Sequence, residues 1–123
     1  SLTTAGAAHG IKVNLIAPAA FTRMAGRGPG SPQMEPDLVA PMVAFLAHED
    51  CPVSGEIYAA GAGRFARIFI ASTAGYVHTT SEPTIEDVAQ NWATINDETD
   101  YYVPADLMDW SATFMSHLHA KDA

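Results

Sequence analysis

Apolar positions along the chain switch between two periods. Residues 11–16 (Ile-Lys-Val-Asn-Leu-Ile) are rich in β-formers and apolar on both faces, which predicts a buried parallel strand ending at Pro18. Residues 25–36 hold three glycines and three prolines and predict a loop. Residues 37–48 return to helical spacing. Leu38, Met42, Phe45 and Leu46 form one stripe with Val39 and Val43 beside it, and Pro41 has to sit near the first turn. A turn at 52–55 leads to a second short strand, 56–60, ended by Gly61-Ala62-Gly63. Residues 64–72 are rich in Phe and Ile and read as extended.

Two helices follow. Thr84-Ile-Glu-Asp87 carries a capping-box signature, and Ile85, Val88, Trp92 and Ile95 line one face of a helix ending near Asn96. A last helix, 104–118, spaces Leu107, Trp110, Phe114, Met115 and Leu118 along one side, a stripe read as core rather than as a cofactor box. At the other end of the chain, Leu2, Ala5 and His9 fit the final turns of a helix stopped by Gly10, with no cap before Leu2. The opening residues are therefore expected to be the remnant of a truncated or processed chain. Strands alternating with helices give an α/β class.

Composition narrows this picture. The chain has 123 residues, 48% hydrophobic and 16% charged, enough for one domain with a core of its own. One cysteine, Cys51, excludes an internal disulfide framework and fits a reducing compartment, so a cytoplasmic location is expected. Its acidic neighbours argue against a reactive thiolate. No apolar run reaches membrane-spanning length. The net charge is −8. From Glu82 onward there are nine acids and one base, Lys121, which is either a solvated face or an acidic partner-binding tail. No basic stripe suits nucleic acid. His117 and His119 do not share a helix face, and no metal site is expected.

Chemistry concentrates at the first strand's end. In open α/β sheets ligands bind beyond the carboxyl ends of the strands. Pro18 turns the chain, Ala19 and Ala20 let a flat ring approach the backbone, and Thr22 offers a hydroxyl. By these residues alone, an ordinary loop is the competing reading.

The run Val13-Asn14-Leu15-Ile16-Ala17-Pro18, with Thr22 after a short spacer, resembles the nicotinamide-binding strand of short-chain dehydrogenases/reductases. Ala19 stands where that family usually has glycine, and the spacer is one residue short. The shorter form is similar to the dehydrogenase domain of multifunctional β-oxidation enzymes and their bacterial relatives. Residues 37–49, 54–63 and 85–92 resemble the same subgroup. The resemblance implies the C-terminal part of a Rossmann-like, doubly wound parallel sheet over residues 1–63, and a helical C-terminal extension over 64–123. It implies NAD or NADP held by Pro18, Ala19, Ala20, Phe21 and Thr22, and a substrate loop bearing Arg23, Met24 and Arg27. The implied reaction is hydride transfer with an alcohol or ketone, or a 3-hydroxyacyl thioester, in a homo-oligomer.

The family's Tyr-x-x-x-Lys acid/base pair, its assisting Ser and its glycine-rich pyrophosphate turn have no match in these residues. Gly26-Arg27-Gly28-Pro29-Gly30 is a decoy, because no helix opens on it. The 123 residues alone are therefore expected to be inactive. The alternative is a non-catalytic binding or oligomerising module. Glu86 and Asp87 are explained by a helix dipole. Arg64 and Arg67 are either solvated or face an anionic substrate handle. With only two clear strands, the apolar edge of the first is open, so these residues are not expected to be a stable monomer.

Overall fold

The computed structural model describes residues 1–20 and 34–120. They fall into two compact units, Ser1–Phe69 and Ile70–Ala123.

The first unit opens with α1 (Leu2–Ala7). It is capped after all: Ser1 Oγ accepts from the Thr4 N–H at 3.4 Å. Serine is a good N-cap even at the first residue. Gly10, at φ 69°, ends the turn as expected. Gly6 is needed for packing, since a Cβ there would lie 2.9 Å from the Ile11 carbonyl oxygen.

The first strand, β1 (Leu15–Ala19), begins later than its apolar run predicted and contains Pro18 instead of stopping before it. Hydrogen-bond direction explains this. β1 pairs in parallel with β2 (Ile57–Gly61), Leu15 opposite Ile57 and Ala19 opposite Gly61. The Leu15 N–H donates to Glu56 O at 2.8 Å. Alternate residues of a parallel strand address the same neighbour, so Leu15, Ala17 and Ala19 bond to β2 while Ile16 and Pro18 face the other edge. The N–H that proline lacks is one that β2 does not use.

A 3-10 turn (Pro36–Leu38) leads into α2 (Ala40–Leu46), with Pro41 in the first turn where it breaks no bond. After β2, Ala62 (φ 52°) and Gly63 (φ 76°) form the two-residue loop of a hairpin. Positive φ at both positions marks a type I′ turn, whose twist suits a hairpin. The extended segment after it is β3 (Arg64–Ile68), antiparallel to β2. The sheet order is β1-β2-β3, a mixed α/β sheet with a parallel pair.

In the second unit β4 (Ser72–Thr73) pairs with β5 (Tyr101–Tyr102), a ribbon the sequence pattern did not announce. The helix expected over 84–96 is α3 (Ile85–Gln90) and α4 (Trp92–Ile95), interrupted at Asn91. Asn91 Nδ2 donates to the Asp87 carbonyl at 2.8 Å, a side-chain bond that competes with the helix ladder. The capping box is present: the Asp87 N–H donates to Thr84 Oγ1, and the Thr84 N–H donates to Asp87 Oδ2. The last helix is likewise two pieces, α5 (Leu107–Phe114) and α6 (Ser116–Ala120), capped by Asp106. Ser116 Oγ donates to the Thr113 carbonyl at 2.7 Å beside the break.

The packing departs from the pattern more than the elements do. Among the described residues only Cys51 and Ala60 are fully buried hydrophobic side chains. The stripe read as core on the last helix is exposed at Leu107, Phe114, Met115 and Leu118. Trp110 is the exception, half-buried, stacked on Phe114 at 4.6 Å and donating to Ser72 Oγ. Leu15, expected to be covered on both sides of its strand, is 61% exposed. Helical and strand periods identify which side of an element is apolar, not whether this chain supplies the cover.

Two tests follow from local geometry. Ala62→Asn, placing a residue suited to positive φ in the hairpin, raises stability by about 0.5–1 kcal/mol in chemical denaturation. Backbone and side-chain hydrogen bonds from Thr84 hold the Asp87 carboxyl below its ordinary value. A depressed carboxyl stabilises above its unfolded pKa, and that contribution disappears as pH falls through the lower, folded value. The Thr84 amide resonance is therefore expected to leave its capped position at a lower pH than it would beside a carboxyl of ordinary pKa, followed in an NMR pH titration.

Candidate functional site

The first unit is fastened at the amino end of β1 by one side chain. Asn14 donates from Nδ2 to the Val53 carbonyl at 3.0 Å, and its Oδ1 accepts from the Glu56 N–H at 3.0 Å. Val13 adds two bonds: its N–H donates to Ser54 Oγ at 3.0 Å, and its carbonyl accepts from Gly55 at 2.7 Å. Lys12 Nζ donates to the Cys51 carbonyl. Cys51 is 1% exposed beneath this latch. Sequence reasoning missed this role of Asn14; the available signal was a short amide side chain just ahead of an apolar strand.

At the carboxyl end the two strands close tightly. A Cβ on Gly61 would lie 2.1 Å from the Ala19 carbonyl oxygen, so only glycine fits opposite Ala19. The rim then consists of Pro18, Ala19 and Ala20, with small side chains and no charge. These are the predicted site residues that the structure brings together. Phe21, Thr22, Arg23, Met24 and Arg27 lie outside the described residues.

Beneath the rim, Pro18 and Ala20 join Pro36, Val39, Ala40, Val43 and Ala44 around a cleft of about 510 Å³. A second cleft of about 330 Å³ continues from the shared Val43 to Ile16, Leu46 and the Asn14 latch. Both run between β1 and α2. Among the described residues Lys12 is the one titratable residue lining either cleft. The arrangement can seat a flat or apolar group, and among the described residues Pro18, Ala19 and Ala20 bring no proton donor or acceptor side chain to the rim.

The two arginines have separate fates. Arg67 donates from Nη2 and Nε to Glu56 Oε2 at 2.7 and 2.8 Å and lies over the Phe69 ring, so Glu56 engages its charge. Arg64 pairs with Gly61 at the rim end of β2 and is exposed. Asp87 and Asp97, the carboxyls held below their ordinary values, owe this chiefly to bonds from Thr84 and Thr99 within their own turns. Among the described residues no three His, Cys, Asp or Glu side chains gather as a metal site, and no helix is long and apolar enough to cross a membrane.

Replacing Asn14 with Ala leaves the Val53 carbonyl and the Glu56 amide without partners. About 1–3 kcal/mol of stability is lost in a denaturant titration, while Asn14→Asp, which retains only the acceptor, loses the Val53 bond alone.

No protein-family model matches the chain. A putative short-chain type dehydrogenase/reductase of Mycobacterium tuberculosis is 34% identical over 100 residues, covering 79% of this chain and 35% of that protein. The peroxisomal multifunctional enzyme type 2 of Mus musculus is 30% identical over 128 residues, covering all of this chain and 17% of its own. The solved full-length peroxisomal multifunctional enzyme type 2 of Drosophila melanogaster superposes with a TM-score of 0.80 at 25% identity, over 97% of this chain and 22% of that one. The chain thus spans about a third or less of the length of these relatives. Its homologues are short-chain dehydrogenases/reductases and peroxisomal multifunctional enzymes, and its fold is that of a Rossmann-like dehydrogenase segment.

Proposed function

We propose that this chain is the nicotinamide-side part of an NAD(P)-dependent short-chain oxidoreductase acting on an alcohol or ketone. The carrying observation is the rim of Pro18, Ala19 and Ala20 at the carboxyl end of a parallel strand, closed against Gly61 of the neighbouring strand. Short side chains there fit a planar carboxamide ring lying close to backbone, which supports a nicotinamide seat. When bound, that cofactor gives or takes the hydride.

The chain's own residues then bind and orient. Pro18, Ala19, Ala20, Phe21 and Thr22 hold the carboxamide end, and Arg23, Met24 and Arg27 face the substrate. The apolar cleft below Pro18 and Ala20 supports a substrate with a hydrocarbon portion, in keeping with a 3-hydroxyacyl thioester. The 123 residues contain no Tyr-x-x-x-Lys pair, which supports the reading that by themselves they do not turn over substrate. Among the described residues β1 is an edge strand, which supports either a further strand or a second copy of the chain against it; the second would make the working enzyme a homo-oligomer. The buried single thiol suits a reducing compartment such as the cytoplasm.

Ala19→Leu tests this reading by filling the rim. NADH affinity, followed by nicotinamide fluorescence, falls about tenfold or more while the thermal midpoint moves little. Unchanged affinity in a folded variant removes the nicotinamide from this rim. Turnover by the 123-residue chain alone contradicts the division of labour.

A further inference from the structure

Among the described residues β3 (Arg64–Ile68) is the outer strand of its sheet, and all five of its residues are exposed. The hairpin fixes which backbone groups face outward. Gly61 and Arg64 close its two-residue loop as a pair that exchanges backbone hydrogen bonds, and such pairs alternate along an antiparallel ladder. Arg64, Ala66 and Ile68 therefore bond to β2. Phe65 and Arg67 turn their N–H and C=O groups to the open edge. Neither a proline nor a bulge blunts that edge.

The charges of this unit do not keep a further strand away. Arg67 is engaged by Glu56 through Nη2 and Nε and lies over the Phe69 ring. Beside it Phe65, Ile68 and Phe69 are 50%, 43% and 46% exposed. Over Ser1–Phe69 five basic residues balance five acids, so two copies of this unit meet without net repulsion.

The strand is complementary to itself. In a twofold antiparallel pairing centred on Ala66, Phe65 stands opposite the partner's Arg67, and Arg64 stands opposite the partner's Ile68. Phe65 and Arg67, whose backbone groups face the edge, then form the hydrogen-bonded pairs. They also share one sheet face, because they lie in register with Ala60 and Tyr58. Each Arg67 thereby gains a second aromatic ring while keeping its own Glu56. Centring the pair on Arg67 would oppose two guanidiniums, and centring it on Phe65 would set Arg67 against the hairpin loop. A match that repeats about Ala66 is one that a second copy of the same strand fulfils.

We propose that a second copy of this chain joins the sheet edge to edge through β3, giving the continuous order β1-β2-β3-β3-β2-β1 about a twofold axis at Ala66. The proposal goes beyond the nicotinamide reading and does not rest on it.

A cysteine at the axis tests it in the full protein. Residues opposed without hydrogen bonds lie about 4.5 Å apart at Cα, inside the range of roughly 4.4–6.8 Å that a disulfide spans. Ala66→Cys forms a linked dimer under mild oxidation, whereas Arg64→Cys, whose counterpart lies well along the strand, stays unlinked. In sedimentation over a concentration series, the parent protein forms dimers. Phe65→Arg, which opposes the partner's Arg67, raises the dimer Kd about tenfold or more. Phe65→Glu offers that arginine a carboxylate and retains the dimer, whereas simple loss of apolar surface would weaken both variants alike. A monomer throughout the series, no linkage at Ala66→Cys, equal linkage at Arg64→Cys, or equal effects of the two Phe65 variants overturns the proposal. NADH affinity is unchanged in all these variants, so failure here leaves the nicotinamide reading standing.

Discussion

The parallel seam between β1 and β2 is the constraint on which the first unit depends. It is held from both ends by features that are not apolar burial. At the amino end Asn14 answers the backbone of Val53 and Glu56 with one side chain. At the carboxyl end Gly61 allows the Ala19 carbonyl to approach within a distance no side chain tolerates. Between these points the strands are short and few side chains are fully enclosed. Register is therefore set by specific polar and steric contacts more than by a filled core, and a one-residue slip would lose both. Because the rim at Pro18–Ala20 is where this seam ends, the latch and the glycine contact also fix the site's geometry.

Much of this was legible in the residues. Pro18 marked the rim, Pro41 marked a first helical turn, and Thr84 with Asp87 marked a cap; in each case a local rule acts through neighbours a few residues away. What could not be read was set by partners distant in sequence. β1 extends through Pro18 because the direction of its bonds is fixed by β2, some forty residues on. The hairpin at Ala62 was hidden because alanine is an uncommon choice for positive φ, whereas Asn-Gly would have announced it. The β4–β5 ribbon is two residues long on each side, too short for any period. Of the candidate site, Pro18 and Ala19 lie within β1 rather than in a loop after it, and Ala20 follows the strand. The contribution of Gly61 was missed because a glycine at a strand's end reads simply as a stop.

The exposed stripes on α3, α4 and α5 show the same limit from the other side. Their helical spacing is sound, yet Ile85, Trp92, Leu107 and Phe114 meet water in this chain. An apolar period records that a face is meant to be covered, and the covering surface belongs to whatever the chain assembles with. The homologues extend well beyond the length aligned here.

The central claim is that the β1–β2 seam presents Pro18–Ala20 to a nicotinamide ring. Amide chemical-shift mapping of the full protein during titration with NADH tests it most directly. The account predicts that Ala19, Ala20 and Gly61 move together, with saturation at one affinity, while the amides of α3 to α6 stay in place. Saturable binding that leaves Ala19, Ala20 and Gly61 unmoved would contradict it.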